Sequence, residues 1–157
     1  MWARSWGEQE QSIATGTADL DFINRIFITA HCEAGIDLKN QIIAKLESIP
    51  RLNRKYKWVD PVITYFTVTI TGKVGRNRNV DTVKNTIRDA ILNQYGVYSR
   101  SRVNTYNEHE AYALIQATGM FDQQGEYFLV SQTGSPTGVL SEIYGTDTAH
   151  IIFDIGY

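Results

Sequence analysis

The stretch ITYFTVTITGKV, residues 63–74, constrains the fold more than any other part of the chain. Because successive side chains of a β-strand point to opposite faces, the alternation in this stretch defines two surfaces. One surface is apolar and consists of Phe66, Val68, Ile70 and Val74. The other is rich in threonine, with Thr67, Thr69 and Thr71 between Tyr65 and Lys73. The pattern predicts a long strand that buries its apolar face and presents its threonine face to solvent or to a partner.

Three segments have the apolar spacing of amphipathic helices. The first covers residues 38–49 and the second covers residues 80–95. The third, residues 107–119, begins at Asn107 and Glu110, which resemble a capping box. Shorter apolar segments predict further strands at residues 24–32, 125–133 and 150–157.

These elements follow one another in the order β-α-β-α-α-β-β, which predicts an α+β fold. We expect a mixed β-sheet with two to three helices packed on one of its faces. The crossover in the first βαβ unit is long enough for parallel pairing, and the last two strands are expected to pair antiparallel. A chain of 157 residues has an ordinary single-domain size. One domain over residues 1–157 is therefore predicted, with residues 1–22 as an irregular N-terminal segment.

The overall composition excludes several classes of protein. Hydrophobic residues make up 43% of the chain and charged residues 20%, as in globular rather than disordered proteins. The net charge is −2, so no global attraction to nucleic acid or to an anionic membrane is expected. Cys32 is the only cysteine, which leaves no intramolecular disulfide. No apolar run approaches the ~20 residues needed to cross a bilayer, and we expect a soluble protein made in a cytosol.

Candidate catalytic and metal-binding residues are few. His31, Cys32 and Glu33 are ligand types in a row, but neighbours on a strand point to opposite faces and would not converge on one ion. The TGK at residues 71–73 lacks the earlier glycine of a phosphate-binding loop, and the chain has no GxSxG motif. The sequence therefore predicts no catalytic residue, no cofactor, no metal site and no enzyme. An active site assembled from distant residues is the alternative.

The segment RLNRKYKW, residues 51–58, is the most suggestive polar cluster. It interleaves four cations with Tyr56 and Trp58, a composition that suits contacts to a nucleic-acid backbone together with base stacking. The acidic net charge and the lack of a recognisable nucleic-acid-binding motif argue against this interpretation. We prefer an exposed basic loop, or one that pairs with an acidic neighbouring subunit, and keep a nucleic-acid-binding module as the alternative.

Four segments within residues 5–96 follow a recognisable order: SWGEQEQ, RIFITA, LKNQIIAKLESI and VDPVITYFTVTITGKVGRNRNVDTVKNTIRDAIL. A helix is followed by a proline just before a long alternating strand, then by a short polar turn and a helix with spaced apolar residues. The positions that carry this pattern are Pro61, Phe66 to Val74, Asp81, Val83, Ile87, Ala90 and Ile91. The arrangement resembles the C-terminal portion of phage baseplate wedge proteins, namely the baseplate J-like family and the related inner-ring wedge subunit of T-even-type phages.

The resemblance implies a structural protein of the virion, located in the baseplate of a contractile tail and made in the cytoplasm of a bacterial host. Such proteins form the inner ring around the tail hub, where copies contact one another and other wedge subunits. The chain is then expected to be a homo-oligomer, as a dimer or a ring, with other baseplate wedge or hub proteins as partners. Catalysis, a cofactor and a membrane are not implied. Family members are several hundred residues long, so the chain would be a C-terminal fragment or a shortened relative.

Aromatic residues supply the candidate contacts between subunits. The chain has nine tyrosines and three tryptophans against six phenylalanines. Tyrosine and tryptophan are enriched at protein interfaces, although tyrosine also serves well on strands. We assign contacts to one segment beside the basic loop and to another after the second helix. The predicted contact residues are Tyr56, Lys57, Trp58, Tyr95, Tyr98, Arg100, Arg102 and Tyr106.

Overall fold

The computed structural model describes residues 2–31, 38–49, 54–99 and 105–157. Within these ranges the chain forms four α-helices and eight β-strands, and its sheets contain both parallel and antiparallel pairs. The predicted α+β class with mixed pairing is therefore confirmed. The chain divides into two compact units where the sequence predicted one domain. Unit 1 comprises Met1–Val62 and Thr137–Ile143, and unit 2 comprises Ile63–Pro136 and Tyr144–Tyr157.

Unit 1 is built on a three-stranded sheet. Its elements are β1 (Trp2–Trp6), α1 (Glu8–Thr15), β2 (Arg25–His31), α2 (Leu38–Glu47) and β3 (Lys55–Trp58). The strand order is β1-β2-β3, with β2 antiparallel to β1 and parallel to β3. Helix α2 packs against both strands that it connects.

The N-terminal segment is regular, so the expectation of an irregular stretch over residues 1–22 is corrected. Strand β1 is held by long-range pairing with β2, which a five-residue sequence does not reveal. Helix α1 has no apolar stripe, because its only large apolar residue, Ile13, is exposed. Its ends are defined instead by the backbone N–H of Gly7, which donates to Oε2 of Glu10 at 2.9 Å, and by Gly16 in the left-handed conformation.

The last four residues of the basic segment, predicted as a connection, form β3. Lys55 lies opposite Arg25, and Trp58 lies opposite Ile28, in a parallel register. The first βαβ unit of the chain is therefore β2-α2-β3. The strand predicted over residues 63–74 belongs to other sheets.

The core of unit 1 is a small aromatic cluster. The rings of Trp6 and Phe27 stack with their centroids 5.9 Å apart. The ring of Phe22 meets Phe27 edge-on at 5.5 Å. Val59 and Leu140 pack against this cluster, so its apolar contacts come from distant parts of the sequence.

Unit 2 contains the remaining elements, and the boundary between the units falls within two of its strands. These elements are β4 (Val62–Tyr65), β5 (Thr67–Lys73), α3 (Val80–Tyr95), α4 (Glu108–Ala117), β6 (Tyr127–Thr133), β7 (Glu142–Gly145) and β8 (Ile151–Gly156). Strands β4 and β7 pair, and the main sheet has the order β6-β5-β8. The predicted strand 63–74 is thus two strands, divided at Phe66.

The pairing of the closing strands differs from the prediction. Strands β6 and β8 were expected to pair with each other, but they lie on opposite sides of β5. Strand β6 is antiparallel to β5, and β8 is parallel to it. A parallel partner requires a long crossover, which the segment containing α3 and α4 supplies.

Helices α3 and α4 pack on one face of the main sheet, as predicted. Val68 and Ile70 of β5 belong to the same apolar cluster as Ile87 of α3 and Ile115 of α4. Each helix begins at an asparagine whose side chain accepts backbone N–H groups of the first turn, as the sequence predicted for Asn107. The core of unit 2 therefore lies between the helices and the sheet, and the side chains on the opposite face of the sheet are exposed or half-buried.

Candidate protein interface

The outer face of unit 2 is defined as the side of the main sheet that points away from α3 and α4. Three of its side chains are large, apolar and at least half exposed, namely Tyr127 (54%), Leu129 (65%) and Ile152 (51%). Between them lie the threonines of β5, which point outward as the alternation predicted. The full set is Thr67, Thr69, Thr71, Lys73, Tyr127, Leu129, Ser131, Thr133, Ile152 and Asp154.

Strand register decides which of these side chains are neighbours. Thr71 lies between Leu129 on β6 and Asp154 on β8. Thr69 lies between Ser131 and Ile152 in the same way. The outer face is therefore apolar near both of its edges and hydroxyl-bearing along its centre.

The outer face is small for a protein interface. Three strands of about seven residues span roughly 23 Å by 14 Å, or about 300 Å². A stable interface buries roughly 800 Å² on each partner. The outer face is thus too small to hold two copies together tightly by itself.

The predicted contact residues beside the basic loop lie on β3 of unit 1. Tyr56, Lys57 and Trp58 are all half-buried. Nζ of Lys57 lies 3.5 Å from Oδ2 of Asp21, and Nε1 of Trp58 donates to Oδ1 of Asp60 at 2.8 Å. These contacts hold the side chains of Lys57 and Trp58 within unit 1, and part of each residue remains accessible.

The predicted contact residues after the second helix differ in burial: some belong to the core of unit 2 and others lie at its surface. Tyr95 is 1% exposed and belongs to the core of unit 2, so its assignment as a contact residue is corrected. Tyr106 packs against the same core, and burial raises the pKa of its hydroxyl to about 12. Tyr98 is 49% exposed and remains a candidate contact. Arg100 and Arg102 lie outside the described residues.

A concavity of about 450 Å³ beside β3 collects several cations. Arg25, Arg54 and Lys55 line it together with Glu47 and with apolar residues at and just after the end of α2, namely Leu46 and Ile49. Nη2 of Arg25 lies 2.6 Å from Oδ1 of Asp21. Because Asp21 and Glu47 offset part of the positive charge, this surface carries both signs and is weakly suited to a phosphate backbone.

Glu126 has a buried carboxylate whose side chain is 2% exposed. It accepts the backbone N–H groups of Gly75 at 2.8 Å and Gln123 at 3.0 Å, and Nε of Arg78 at 3.0 Å. Burial raises the pKa of this carboxyl, but the three donors together outweigh burial and hold the pKa of Glu126 below its ordinary value. Arg78 also pairs with Asp122. The cluster ties the turn before α3 to the loop before β6, which is a structural role.

A second titratable cluster surrounds Asp147. Its Oδ1 accepts the backbone N–H groups of Ala149 at 2.9 Å and His150 at 3.0 Å, and lies 2.6 Å from Nδ1 of His150. Burial raises the pKa of Asp147, but the hydrogen bonds from His150 and Ala149 outweigh burial and hold this pKa below its ordinary value. The imidazole stacks on Tyr65 with ring centroids 4.6 Å apart. A carboxylate–imidazole pair can orient a general base, but this carboxylate caps a short 3₁₀ helix.

Within the described ranges, no group of three or more His, Cys, Asp or Glu side chains is arranged to hold a metal ion. None of the helices in the part of the chain that the structure describes is long and apolar enough to cross a membrane.

The chain matches no family model and no curated protein. A functional assignment therefore depends on the resemblance of residues 5–96 and on the geometry described above.

The contact residues predicted from the sequence do not include Tyr127, Leu129 or Ile152. The signal was present in the alternation of GEYFLVSQT and HIIFDIGY, which separates Leu129 from Phe128 and Ile152 from Ile151. When one side of a strand is buried, the side chains on its other side face solvent, so large apolar residues there are candidates for contact with a partner. The strand order that brings these residues onto one face was the missing information.

Proposed function

We propose that the chain is a structural subunit of the baseplate of a contractile phage tail, which assembles with copies of itself and with other wedge or hub proteins. The observation that carries this proposal is the outer face, where Tyr127, Leu129 and Ile152 are exposed on a sheet whose other side is packed by helices. Three large apolar side chains exposed on one small face are candidates for contact with a partner. The resemblance over residues 5–96 indicates the kind of assembly.

Charge on the outer face is compatible with contacts between identical copies. Lys73 lies on β5, and Asp154 lies on β8. A two-fold axis presents the same patch from both copies, so a face with one cation and one anion can oppose unlike charges. Exposed pairs of this kind contribute little energy, and their effect is on orientation.

The proposal is tested first on particles. Contractile tails purified from a phage that encodes the chain should bind a gold-labelled antibody against it at the baseplate end, as seen by negative-stain electron microscopy. The same phage carrying a deletion of the chain serves as the control and should yield defective tails. Labelling along the sheath, or none on intact tails, would contradict the proposal.

Replacing Leu129 and Ile152 by serine should weaken self-association of the purified chain. The double variant removes most of the exposed aliphatic area of the outer face. Each Å² of apolar surface that a contact buries contributes roughly 25 cal/mol to association. In sedimentation velocity, we expect the concentration-dependent rise of the sedimentation coefficient to shift to about tenfold higher concentration.

The matched control is Ile13→Ser, which removes an exposed isoleucine from α1 of unit 1. It should leave the sedimentation profile unchanged. Equal weakening by both changes would show that general hydrophobicity, and not the outer face, drives association.

Nucleic-acid binding is the second candidate, because Arg54 and Lys55 lie together at the concavity beside β3. We expect no binding of a single-stranded oligonucleotide below about 100 μM at physiological salt, the weak end of non-specific binding. Fluorescence anisotropy at several salt concentrations measures this. Salt-sensitive binding that Arg54→Ala with Lys55→Ala abolishes, and that Lys73→Ala with Lys84→Ala retains, would favour this candidate instead.

A further inference from the structure

We propose that the outer edge of β6, the edge away from β5, pairs with β6 of a second copy of the chain, antiparallel about a two-fold axis at Val130. The pairing joins two three-stranded sheets into one continuous sheet of six strands. This inference specifies the partner and geometry of one contact, and it rests on the proposed function of the chain as an assembly subunit.

The direction of the backbone groups on β5 follows from one hydrogen bond. The N–H of Val74 donates to the carbonyl of Gly156 at 2.9 Å, on the β8 side. Backbone groups alternate between the two edges of a strand, so those of Gly72 and Ile70 also point to β8. The backbone groups of Lys73 and Thr71 therefore point to β6.

The register between β5 and β6 shows which backbone groups of β6 point to β5. Lys73 lies opposite Tyr127, and Thr71 lies opposite Leu129. In an antiparallel pair, opposed residues of this kind exchange both of their N–H···O bonds. The backbone N–H and C=O groups of Tyr127 and Leu129 therefore bond to β5. The backbone groups that point to the outer edge of β6 belong to Phe128, Val130 and Gln132.

Residual exposure agrees with this assignment. On the central strand β5, the inward-facing residues Val68 and Ile70 are 0% exposed. The corresponding residues of β6, Phe128 and Val130, keep 6% and 8%. Among the described residues, no other strand pairs with β6 besides β5.

Strand β6 lacks the features that protect edge strands against pairing. Natural edges are guarded by charged side chains, by proline, by bulges or by short length. The seven residues of β6, YFLVSQT, contain no charge and no proline and run without a bulge along β5. The opposite edge strand, β8, carries Asp154, and the guanidinium of Arg88 lies over the ring of Phe153 at 5.2 Å. The unguarded edge is that of β6.

A second copy is the occupant that this edge fits, because β6 pairs with itself over all of its residues, Tyr127–Thr133, when the axis lies at Val130. With the axis at Val130, that residue opposes its own copy and Phe128 opposes Gln132. Every one of these residues points its backbone groups outward, so each opposed pair can form two N–H···O bonds. On the outer face, Leu129 then opposes Ser131, and Tyr127 opposes Thr133. No like charges meet, because the strand carries none.

The test uses cysteines placed on the outward side of β6, in the full chain with Cys32→Ser as background. Leu129→Cys and Ser131→Cys are made separately and mixed in equal amounts under mild oxidation. In the proposed register, residues 129 and 131 form a non-hydrogen-bonded pair, whose Cβ atoms are about 4.5–5.5 Å apart and close to disulfide range. Two copies of position 129 are diagonal to each other and lie farther apart.

We expect the mixture to form about tenfold more covalent dimer than either variant alone, because only the mixture places two thiols in a directly opposed pair. The matched control is a mixture of Leu129→Cys with Ile152→Cys, since Ile152 is similarly exposed on the outer face but lies on β8. Equal cross-linking in the single variants and the mixtures would overturn the register. Preferred cross-linking to Ile152→Cys would show face-to-face packing instead.

A second variant separates this inference from the proposed function. Ser131 is exposed, so Ser131→Lys leaves the fold intact by circular dichroism and puts two ammonium groups near the axis. It should reduce association in sedimentation velocity and incorporation into tails. Tails that incorporate Ser131→Lys normally would overturn edge pairing and leave the baseplate function standing. A cross-link without any chain in tails would support the pairing and contradict the function.

Discussion

Tyr95→Ala should lower the free energy of unfolding of unit 2 by about 3–5 kcal/mol, the range for truncating a fully buried aromatic side chain. The ring of Tyr95 lies among Phe66, at 6.2 Å between centroids, and Tyr106, at 5.3 Å. Removing it leaves a cavity where α3 meets the sheet. Urea unfolding followed by near-ultraviolet circular dichroism measures the change.

Two further substitutions test whether the loss of stability comes from removing the buried ring of Tyr95. Tyr98→Ala should cost less than half as much as Tyr95→Ala, because Tyr98 is already 49% exposed just beyond the same helix. Tyr95→Phe should cost less than about 1 kcal/mol, since its hydroxyl reaches the carbonyl of Asn107 only at 3.4 Å. A small effect of Tyr95→Ala would mean that Tyr95 is a surface residue and would restore it as a candidate contact.

Glu126→Ala should destabilise unit 2 by about 1–3 kcal/mol, the cost of leaving buried donors without their acceptor, since Arg78 keeps Asp122 as a second partner. The change leaves the backbone N–H groups of Gly75 and Gln123 without their acceptor and deprives Arg78 of its buried partner. Glu126→Gln should cost less, because an amide oxygen can still accept one of these donors. Asp122→Asn is the matched control. It removes the exposed partner of the same arginine and should cost less than about 1 kcal/mol.

The contribution of Glu126 should also depend on pH. Its pKa in the folded protein lies below its ordinary value of about 4.3, so the carboxylate stabilises the fold at pH values above that range. The stabilisation is lost as the pH falls from there through the folded-state pKa. The difference in unfolding free energy between the natural chain and Glu126→Gln should therefore shrink below about pH 4.3. A difference that stayed constant down to pH 2 would show that Glu126 acts through its shape and not its charge.

Helix α3 was predicted over its full length because its signals are local. Asn79 caps it, Gly96 follows it, and the inward residues recur at regular spacing. The same spacing extends to Tyr95, which follows Val83, Ile87 and Ile91 in steps of four residues and is buried with them, although it was not predicted as an inward residue. Tyr95 was assigned to an interface because tyrosine is common at interfaces. The side of the helix on which a residue lies decides whether it is buried, and Tyr95 lies on the inward side.

The elements that the sequence did not reveal depend on distant partners. Strands β1 and β3 are short, and they exist because β2 pairs with both. The division of the long strand at Phe66 has a similar origin, since the N–H of Phe66 donates to the carbonyl of Gly145, far along the chain. For the same reason the outer face could be predicted strand by strand, while its assembly from β5, β6 and β8 required the strand order.

The split composition of unit 1 has a consequence for how the protein is made. Leu140 packs on the aromatic cluster, and Nη1 of Arg4 donates to the carbonyl of Leu140 at 3.2 Å. On the ribosome, this last piece of the cluster emerges only after residues 63–136 have been added. At about 5–20 residues per second, that is a delay of roughly 4–15 s, during which the nascent N-terminal part remains unfinished and open to chaperones. A fragment that stops at residue 62 would never receive Leu140, so dissecting this protein requires a chain with both segments of unit 1.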